Sequence, residues 1–263
     1  MISDVNVWLS QWPSRRLPLD EPAALATYLR NQSVNTAWAS SFDAILHQDL
    51  HGVNKRIVDQ CSKSDGLLIP VGALNLSQPW WKDDLERATG EWGIRVFRLL
   101  PGYHGYELTD PAFIKLLDCV VARKLILQIC VRLEDPRTQP ARLRADDVKV
   151  RELIPLLKDR PSAMIILLNA LTTVPNPVCS ELATAGNVSF ELSTLEGVRG
   201  VQKALSFLPP ERILFGSHAP FFNWESAKLK MKESDLPGGV AEGIFHGNAD
   251  RLLSGAGVTS GVR

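Results

Sequence analysis

Short apolar runs alternate with amphipathic stretches along the whole chain. Each apolar run is six or seven residues long, and several are continuously apolar rather than alternating with polar positions. Continuous runs of this length are typical of strands that helices cover on both faces. The pattern predicts eight strands, at residues 2–7, 34–39, 66–71, 94–99, 125–131, 163–168, 187–193 and 212–217.

The stretches between these runs have helical spacing of their apolar residues and signals for helix starts. Asp20-Glu21-Pro22 and Asp110-Pro111 each combine a capping residue with a proline suited to a first helical turn. Aspartates at 146 and 147 precede another such stretch. The pattern predicts helices over residues 23–30, 80–92, 112–123, 148–158 and 198–207.

Eight strand–helix units in 263 residues match the size of a (β/α)8 TIM barrel. We therefore predict a single barrel domain over residues 1–254, followed by a flexible, small and polar tail at 255–263. The alternative is an open doubly wound sheet, which normally has a glycine-rich turn after its first strand. Residues 8–13 contain no glycine, so the barrel is favoured.

Composition limits the classes of partner that the chain is expected to bind. It has 29 basic and 29 acidic residues and is 45% hydrophobic, so no basic excess exists to meet the phosphates of nucleic acid or a membrane surface. A small-molecule substrate is expected instead. The four cysteines stand singly, which argues against a structural zinc cluster. With neither a secretory signal nor a long apolar segment in sight, we expect a cytoplasmic protein.

Polar side chains occur where the predicted strands end. In a barrel the carboxyl ends of all strands meet at one mouth, where sites are built. The polar residues on the predicted inward parity are Asp4, Asn6, Arg98, Gln128, Asn169, Glu191, Ser193 and His218.

Asp4 and His218 form the candidate catalytic pair. Asp4 and Asn6 are two residues apart on the first strand, so they should share a face. His218 follows Gly216-Ser217 at the end of the last strand, which neighbours the first in a closed barrel. An imidazole there suits a general acid or base, and Asp4 would fix its tautomer and raise its pKa. The alternative for Asp4 is a solvated or capping role.

The other candidates are expected to bind substrate. Asn6, Gln128 and Asn169 offer amides that orient a ligand, and buried Arg98 needs a partner, either a substrate carboxylate or Glu191. His104 lies in an aromatic loop at 101–106 that either covers a ligand or stays on the surface. The substrate-binding residues predicted are therefore Asn6, Arg98, His104, Gln128, Asn169 and Glu191.

These segments resemble the amidohydrolase superfamily, in particular its amidohydrolase-2 branch, which includes decarboxylases and lactone hydrolases. The matching features are the polar-x-polar first strand, the Pro-Gly-Tyr loop at 101–103, Phe-Gly-Ser-x-x-Pro at 215–220 and Asn-Ala-x-Arg-Leu at 248–252. The last two are fairly specific together and weak singly. The resemblance spans most of the chain and also implies a homodimer, without indicating its interface.

The metal-ligand positions of that family are largely replaced here. The family has His-x-His on strand one, where this chain has Asp4 and Asn6, and an aspartate ending strand eight, where it has His218. Cys130 and Asn169 stand where strands five and six would offer histidines. No cofactor is therefore expected; if a divalent zinc or manganese is bound, its ligands are Asp4, Cys130 and His218.

Three functions remain open. The first is a hydrolase or lyase acting on a small carboxylate or lactone without a metal, through the His218/Asp4 acid–base pair. The second is a metal-dependent amidohydrolase with an atypical ligand set. The third is a barrel that binds a ligand without catalysis. The varied polar residues at the strand ends favour the first, because a site that had lost its function would tend to fill with apolar side chains.

Overall fold

Eight parallel strands alternate with helices, as the hydrophobic pattern predicts. The computed structural model describes residues 1–258, and each strand is hydrogen-bonded to the next in chain order. The predicted tail falls mainly on residues 259–263, outside the described residues. The strands are β1 Ser3–Leu9, β2 Thr36–Ser41, β3 Leu68–Leu74, β4 Val96–Leu99, β5 Ile126–Cys130, β6 Met164–Leu168, β7 Val188–Glu191 and β8 Ile213–Leu214.

Hydrogen bonds between the last and the first strand regions close the sheet into a barrel. The backbone N–H of Val5 donates to the carbonyl of Phe215 (3.0 Å), and that of Trp8 donates to Ala219 (2.8 Å). An open doubly wound sheet would leave these two edges apart. The predicted single (β/α)8 barrel is confirmed.

The helices surround this barrel. Pro22 and Pro111 occupy the first turns of their helices, as the start signals predict. The helices are α1 Pro22–Asn31, α2 Leu50–Ser62, α3 Trp81–Glu91, α4 Pro101–His104, α5 Pro111–Arg123, α6 Leu153–Lys158, α7 Asn176–Ala185, α8 Gly200–Ala204, α9 Trp224–Lys232, α10 Val240–Glu242 and α11 Asn248–Gly255. Within the described residues, no helix combines the length and apolar character that a membrane span requires.

Several elements are shorter than predicted; the helix expected over 148–158, for example, is α6 Leu153–Lys158. The helix expected over 198–207 is reduced to α8, because Arg199 adopts a left-handed conformation (φ 55°) that cannot continue a helix backwards. The strand expected over 212–217 ends at Leu214. Beyond Leu214, isolated backbone hydrogen bonds still connect the chain to β1. The chain then turns at His218, whose φ of 59° is also left-handed.

The interior of the barrel is apolar at one end and polar at the other. Val96, Ile126 and Met164, the first residues of β4, β5 and β6, belong to one buried cluster that also contains Leu252 and Leu253 of α11. This packing closes the end of the barrel where the strands begin. A site is therefore to be sought at the opposite end, where the strands finish.

Candidate functional site

Seven of the predicted site residues are buried, and they lie on or shortly after strands of the barrel. Their burial is nearly complete, since none exposes more than 1% of its surface. These residues are Asp4, Asn6, Arg98, Gln128, Asn169, Glu191 and His218.

Asp4 and Asn6 reach different neighbours, contrary to the strand-parity prediction. The register of β1 against β2 shifts between Asp4 and Val7, so simple alternation fails at this point. One carboxylate oxygen of Asp4 accepts the backbone N–H groups of Asn6 (3.1 Å) and Ser217 (3.0 Å). The other accepts the indole N–H of Trp224 at 3.0 Å. Asp4 thus ties β1 to the β8 region and to α9.

Burial dominates the electrostatics of Asp4. Removal of its carboxylate from water raises its pKa to about 6, although the hydrogen bonds from Ser217 and Asn6 act in the opposite direction. Glu191 adds a smaller like-charge effect that also raises the pKa.

His218 is held in one neutral tautomer. Its Nε2 lies 2.9 Å from the carbonyl oxygen of Leu133, which only accepts, so Nε2 carries the hydrogen. Its Nδ1 therefore accepts the indole N–H of Trp8 at 3.1 Å. Burial lowers the pKa of His218 to about 3. Both ring nitrogens are engaged by groups other than Asp4, so the expected orientation of the imidazole by Asp4 is not what holds it.

Trp8, which was not among the predicted site residues, links His218 to two amides. Its indole N–H also lies 3.1 Å from Oδ1 of Asn6. Because an indole only donates, this contact fixes the Asn6 amide with Nδ2 on the other side, where it donates to Oδ1 of Asn169 (3.1 Å). Asn169 is thereby left with its Nδ2 group as a free donor. Trp8 lies two residues after Asn6 on β1, so strand alternation could have predicted that the two side chains share a face.

The Nδ2 group of Asn169 is buried and has no hydrogen-bond partner in the described structure. The residue also adopts a left-handed backbone conformation (φ 56°), which asparagine tolerates better than most residues. An unpaired buried amide costs about 1–3 kcal/mol. Such a combination of strain and lost hydrogen bonding is characteristic of functional positions.

Arg98 donates its hydrogen bonds to neutral groups of the protein, and Glu191 is not among its partners in the described structure. Its Nε donates to Oε1 of Gln128 (2.7 Å), and its Nη1 donates to the carbonyl of Val7 (3.1 Å). The guanidinium carbon stands 4.3 Å from the centre of the Trp8 ring. Burial lowers the pKa of Arg98 to about 9, so the group stays charged at neutral pH. Gln128 also donates to the Val5 carbonyl (2.8 Å) and is therefore used in packing.

Glu191 is satisfied by its own surroundings. Its carboxylate accepts the backbone N–H groups of Asn169 (2.6 Å) and Ser193 (2.7 Å), and the Ser193 hydroxyl (2.8 Å). Burial raises its pKa, against these hydrogen bonds. A side chain at Gly216 would place Cβ 2.5 Å from the Glu191 carboxylate. This close approach explains the glycine of the Phe-Gly-Ser motif.

His104 lies apart from this network. Its Nε2 is 2.8 Å from the carbonyl of Ala44, in the loop after β2, and burial lowers its pKa. The ring is only half-buried. His104 therefore joins two loops at the barrel mouth rather than the polar groups on the strands.

Aromatic rings close the barrel axis above His218. We call Trp12, Phe42, Phe221 and Phe222 the aromatic cover. Phe42 stacks on Trp8 with ring centres 4.8 Å apart, and Trp12 meets Phe42 and Phe221 edge-on at 5.3 and 5.1 Å. Phe221 and Phe222 lie 5.1 and 4.9 Å from the His218 ring. The cover separates His218 from solvent.

An open cavity lies beside the axis, over the carboxyl ends of β5 to β8. We call it the lateral mouth cavity. It has a volume of about 470 Å³, and Asn169 and Ser193 are among its lining residues. Glu134, which is 4% exposed, also lines it, and Oε2 of this residue has no hydrogen-bond partner in the described structure. Burial raises the pKa of Glu134. Glu134 lies in the long loop after β5, and the length of that loop could have indicated a functional residue there.

The proposed metal ligands do not form a site for a cation. Both oxygens of Asp4 and both nitrogens of His218 are used in protein hydrogen bonds. Burial raises the pKa of the Cys130 thiol to about 12, whereas a metal needs the thiolate. Among residues 1–258, no group of three or more His, Cys, Asp or Glu side chains is arranged to hold a metal. These residues therefore do not fit zinc or manganese in this arrangement.

The chain is similar to known proteins in sequence and in fold. Residues 9–255 match the sequence model of a family described as amidohydrolase. No protein among those with curated functions matches the chain by sequence. Solved structures match over almost the whole chain, at 14–15% identity in the three cases below, which shows the fold alone.

The first of these structures is 2,6-dihydroxybenzoate decarboxylase from Rhizobium, at 15% identity and a TM-score of 0.72, covering 96% of this chain and 98% of that one. The second is a dihydroxybenzoic acid decarboxylase from a Polaromonas species with bound manganese and the inhibitor 2-nitroresorcinol, at 14% identity and TM-score 0.74, covering 96% of both chains. The third is 4-oxalomesaconate hydratase from Rhodopseudomonas palustris, at 14% identity and TM-score 0.68, covering 97% and 96%.

Proposed function

This chain belongs to the amidohydrolase family, and from that premise we propose that it binds a small polar organic molecule in the lateral mouth cavity. The observation that carries the proposal is the unpaired Nδ2 group of Asn169, a buried donor among the residues that line the cavity. A ligand oxygen that accepts from it would recover a lost hydrogen bond. The Asp4 and His218 side chains then hold the barrel together and do not touch the ligand.

The volume and the lining of the cavity support this role. About 470 Å³ lies within the range of small-molecule sites. Thr172, Ser193 and Ser226 line it together with Phe222. Mixed polar and apolar walls of this kind suit an organic molecule with a few hydrogen-bonding groups.

Replacement of Asn169 by aspartate tests the role of the free donor. Asn169→Asp keeps the oxygen that Asn6 contacts and tolerates the left-handed backbone, but it replaces the donor by an acceptor. A ligand from a panel of small carboxylates, lactones, amides and amines should stabilise the wild type against heat and bind the variant at least about tenfold more weakly. Thermal unfolding followed by calorimetric titration of each hit measures both effects.

The matched control is Asn223→Asp, at an exposed position before α9 outside this cavity. It should leave the affinity of every hit unchanged. Ligands that bind wild type and Asn169→Asp equally would contradict the proposal, as would a panel without a single hit.

A second candidate is a hydrolase or lyase acting on a small carboxylate or lactone without a metal. It is supported by the decarboxylases and the hydratase among the relatives of the fold. It is also supported by Glu134, because a carboxyl group with a raised pKa in a cavity suits general acid–base catalysis. Glu134 would then take the role that the sequence analysis gave to His218.

Catalysis by this route predicts a specific pattern of loss. Glu134→Gln should lower kcat by about 10²–10⁴-fold on any lactone or carboxylate that the wild type turns over. Turnover should survive treatment with a chelator. Activity that disappears with the chelator and returns with manganese would contradict a metal-independent reaction, and full activity in Glu134→Gln would remove Glu134 from it.

A further inference from the structure

We infer that the ligand of the lateral mouth cavity is an amine-bearing carboxamide, a molecule that joins a protonated amine, a carbonyl oxygen and a short apolar group. This inference rests on the proposed binding role of the cavity and names the chemistry that the cavity would select. It follows from the charges of the lining, the unpaired oxygen of Glu134 and the unpaired nitrogen of Asn169.

The charged lining of the cavity is acidic, with four carboxylates against two cations. Both cations are engaged by the protein: Arg132 donates to Asp147 (2.7 Å from Nε to Oδ1), and the Lys230 amine donates to the Ser193 carbonyl. Of the carboxylates, Asp135 is held by Arg137. The remaining lining acids are Glu134, Glu196 and Glu233.

Two of the remaining acids are exposed, and within the described residues neither Glu196 nor Glu233 forms an ion pair. Glu134 is buried, and Nη2 of Arg15 lies 3.8 Å from its Oε1. A carboxylate held out of water with an unpaired oxygen is costly. An ammonium group supplies both a donor and a compensating charge, whereas a ligand carboxylate would meet like charge.

Asn169 sets the second requirement. Its orientation, imposed through Asn6 by the indole N–H of Trp8, leaves a donor that only an acceptor can satisfy. A neutral carbonyl oxygen meets that need without adding negative charge to an acidic cavity. Leu133, Leu195 and Phe222 add apolar wall to the lining. Amine, carbonyl and apolar body together describe the amide of an apolar amino acid.

Three probes that share a phenyl group separate these requirements. Phenylalaninamide carries the amine and the carbonyl, N-acetylphenylalaninamide carries the carbonyl without the charge, and 3-phenylpropanoate carries a carboxylate. Calorimetric titration of the full-length protein should show phenylalaninamide binding at least about tenfold more tightly than either of the others. Glu134→Gln should remove most of that advantage and leave N-acetylphenylalaninamide unchanged.

The matched control is Glu152→Gln. Glu152 also has a buried Oε2 without a partner in the described structure, but it lines a different cavity, between α4 and the loop that precedes α6. This change should leave the order of the three probes as in the wild type. The order in the wild type alone tests the inference if Glu134→Gln does not fold.

The outcomes separate the ligand class from the binding role. Equal or tighter binding of 3-phenylpropanoate, lost in Asn169→Asp, would overturn the amine-bearing class and leave the cavity as a binding site. Retention of the full amine preference in Glu134→Gln would also overturn it. If no probe and no member of the wider panel binds in an Asn169-dependent way, the binding role itself fails.

Discussion

Replacing Arg98 by methionine is expected to lower the free energy of unfolding by about 3–5 kcal/mol. Methionine keeps much of the volume but leaves the Gln128 amide oxygen and the Val7 carbonyl without their donor. It also removes the positive charge that lies near buried Asp4 and Glu191, and the stacking on Trp8. Urea denaturation at pH 7, analysed for both the midpoint and the slope, measures the loss.

Arg151→Met is the control for Arg98→Met. The Arg151 side chain is 75% exposed, and its ion pair with Glu181 is long, at 3.8 Å. It should change the free energy of unfolding by less than about 0.5 kcal/mol. An Arg98→Met protein as stable as the wild type would contradict this expectation and show that the cost of burying the guanidinium fully offsets its hydrogen bonds.

The second large effect concerns His218 and depends on pH. The folded protein holds this imidazole neutral with a pKa of about 3, whereas an unfolded histidine has a pKa of about 6.5. Below pH 6.5 the unfolded state therefore binds one more proton, and stability falls as the pH falls. At pH 4.5 the loss from this group is about 3 kcal/mol, from two pH units at 1.36 kcal/mol each.

His218→Asn isolates this contribution, since asparagine tolerates the left-handed backbone and does not titrate. The variant should be less stable than the wild type at pH 7, and that deficit should shrink by about 3 kcal/mol at pH 4.5. Chemical denaturation of both proteins at the two pH values measures it. The same change at exposed His47 should alter stability by less than about 0.5 kcal/mol at either pH.

The comparison must be made between variant and wild type because Asp4 opposes the trend. Its folded pKa of about 6 is raised, so the folded state takes up a proton between about pH 6 and 4 and gains stability there as the pH falls. This contribution is common to both proteins and largely cancels in the difference. A deficit that stays constant with pH would show that the buried imidazole is charged or that it titrates alike in both states.

The architecture could be read from the sequence because it depends on periodicity and on chain order. Continuous apolar runs and proline-marked helix starts specify alternating strands and helices, and the rules for parallel sheets then leave few arrangements. The convergence of β1, β6, β7 and the β8 region followed from the barrel. In the structure, contacts through Trp8 and Asn169 connect Asn6, Asn169, Glu191 and His218 in one buried region.

The contacts within the site could not be read in the same way. One shift in register on β1 separates Asp4 from Asn6, and no local pattern announces such an irregularity. The orientation of the Asn169 amide depends on hydrogen bonds from Trp8 to Asn6 and from Asn6 to Asn169. These contacts join distant parts of the chain, so no local sequence pattern predicts them. The lateral mouth cavity is built by loops, whose paths are the least constrained by hydrophobic patterning.

The left-handed backbone at residue 169 restricts how this protein can evolve. Asparagine, aspartate and glycine adopt that conformation readily, whereas most other side chains are strained by about 1 kcal/mol or more. Histidine belongs to the tolerated set, since His218 of this same protein holds a φ of 59°. Substitutions at position 169 should therefore be confined to these four residue types, while the surrounding loops are freer to vary.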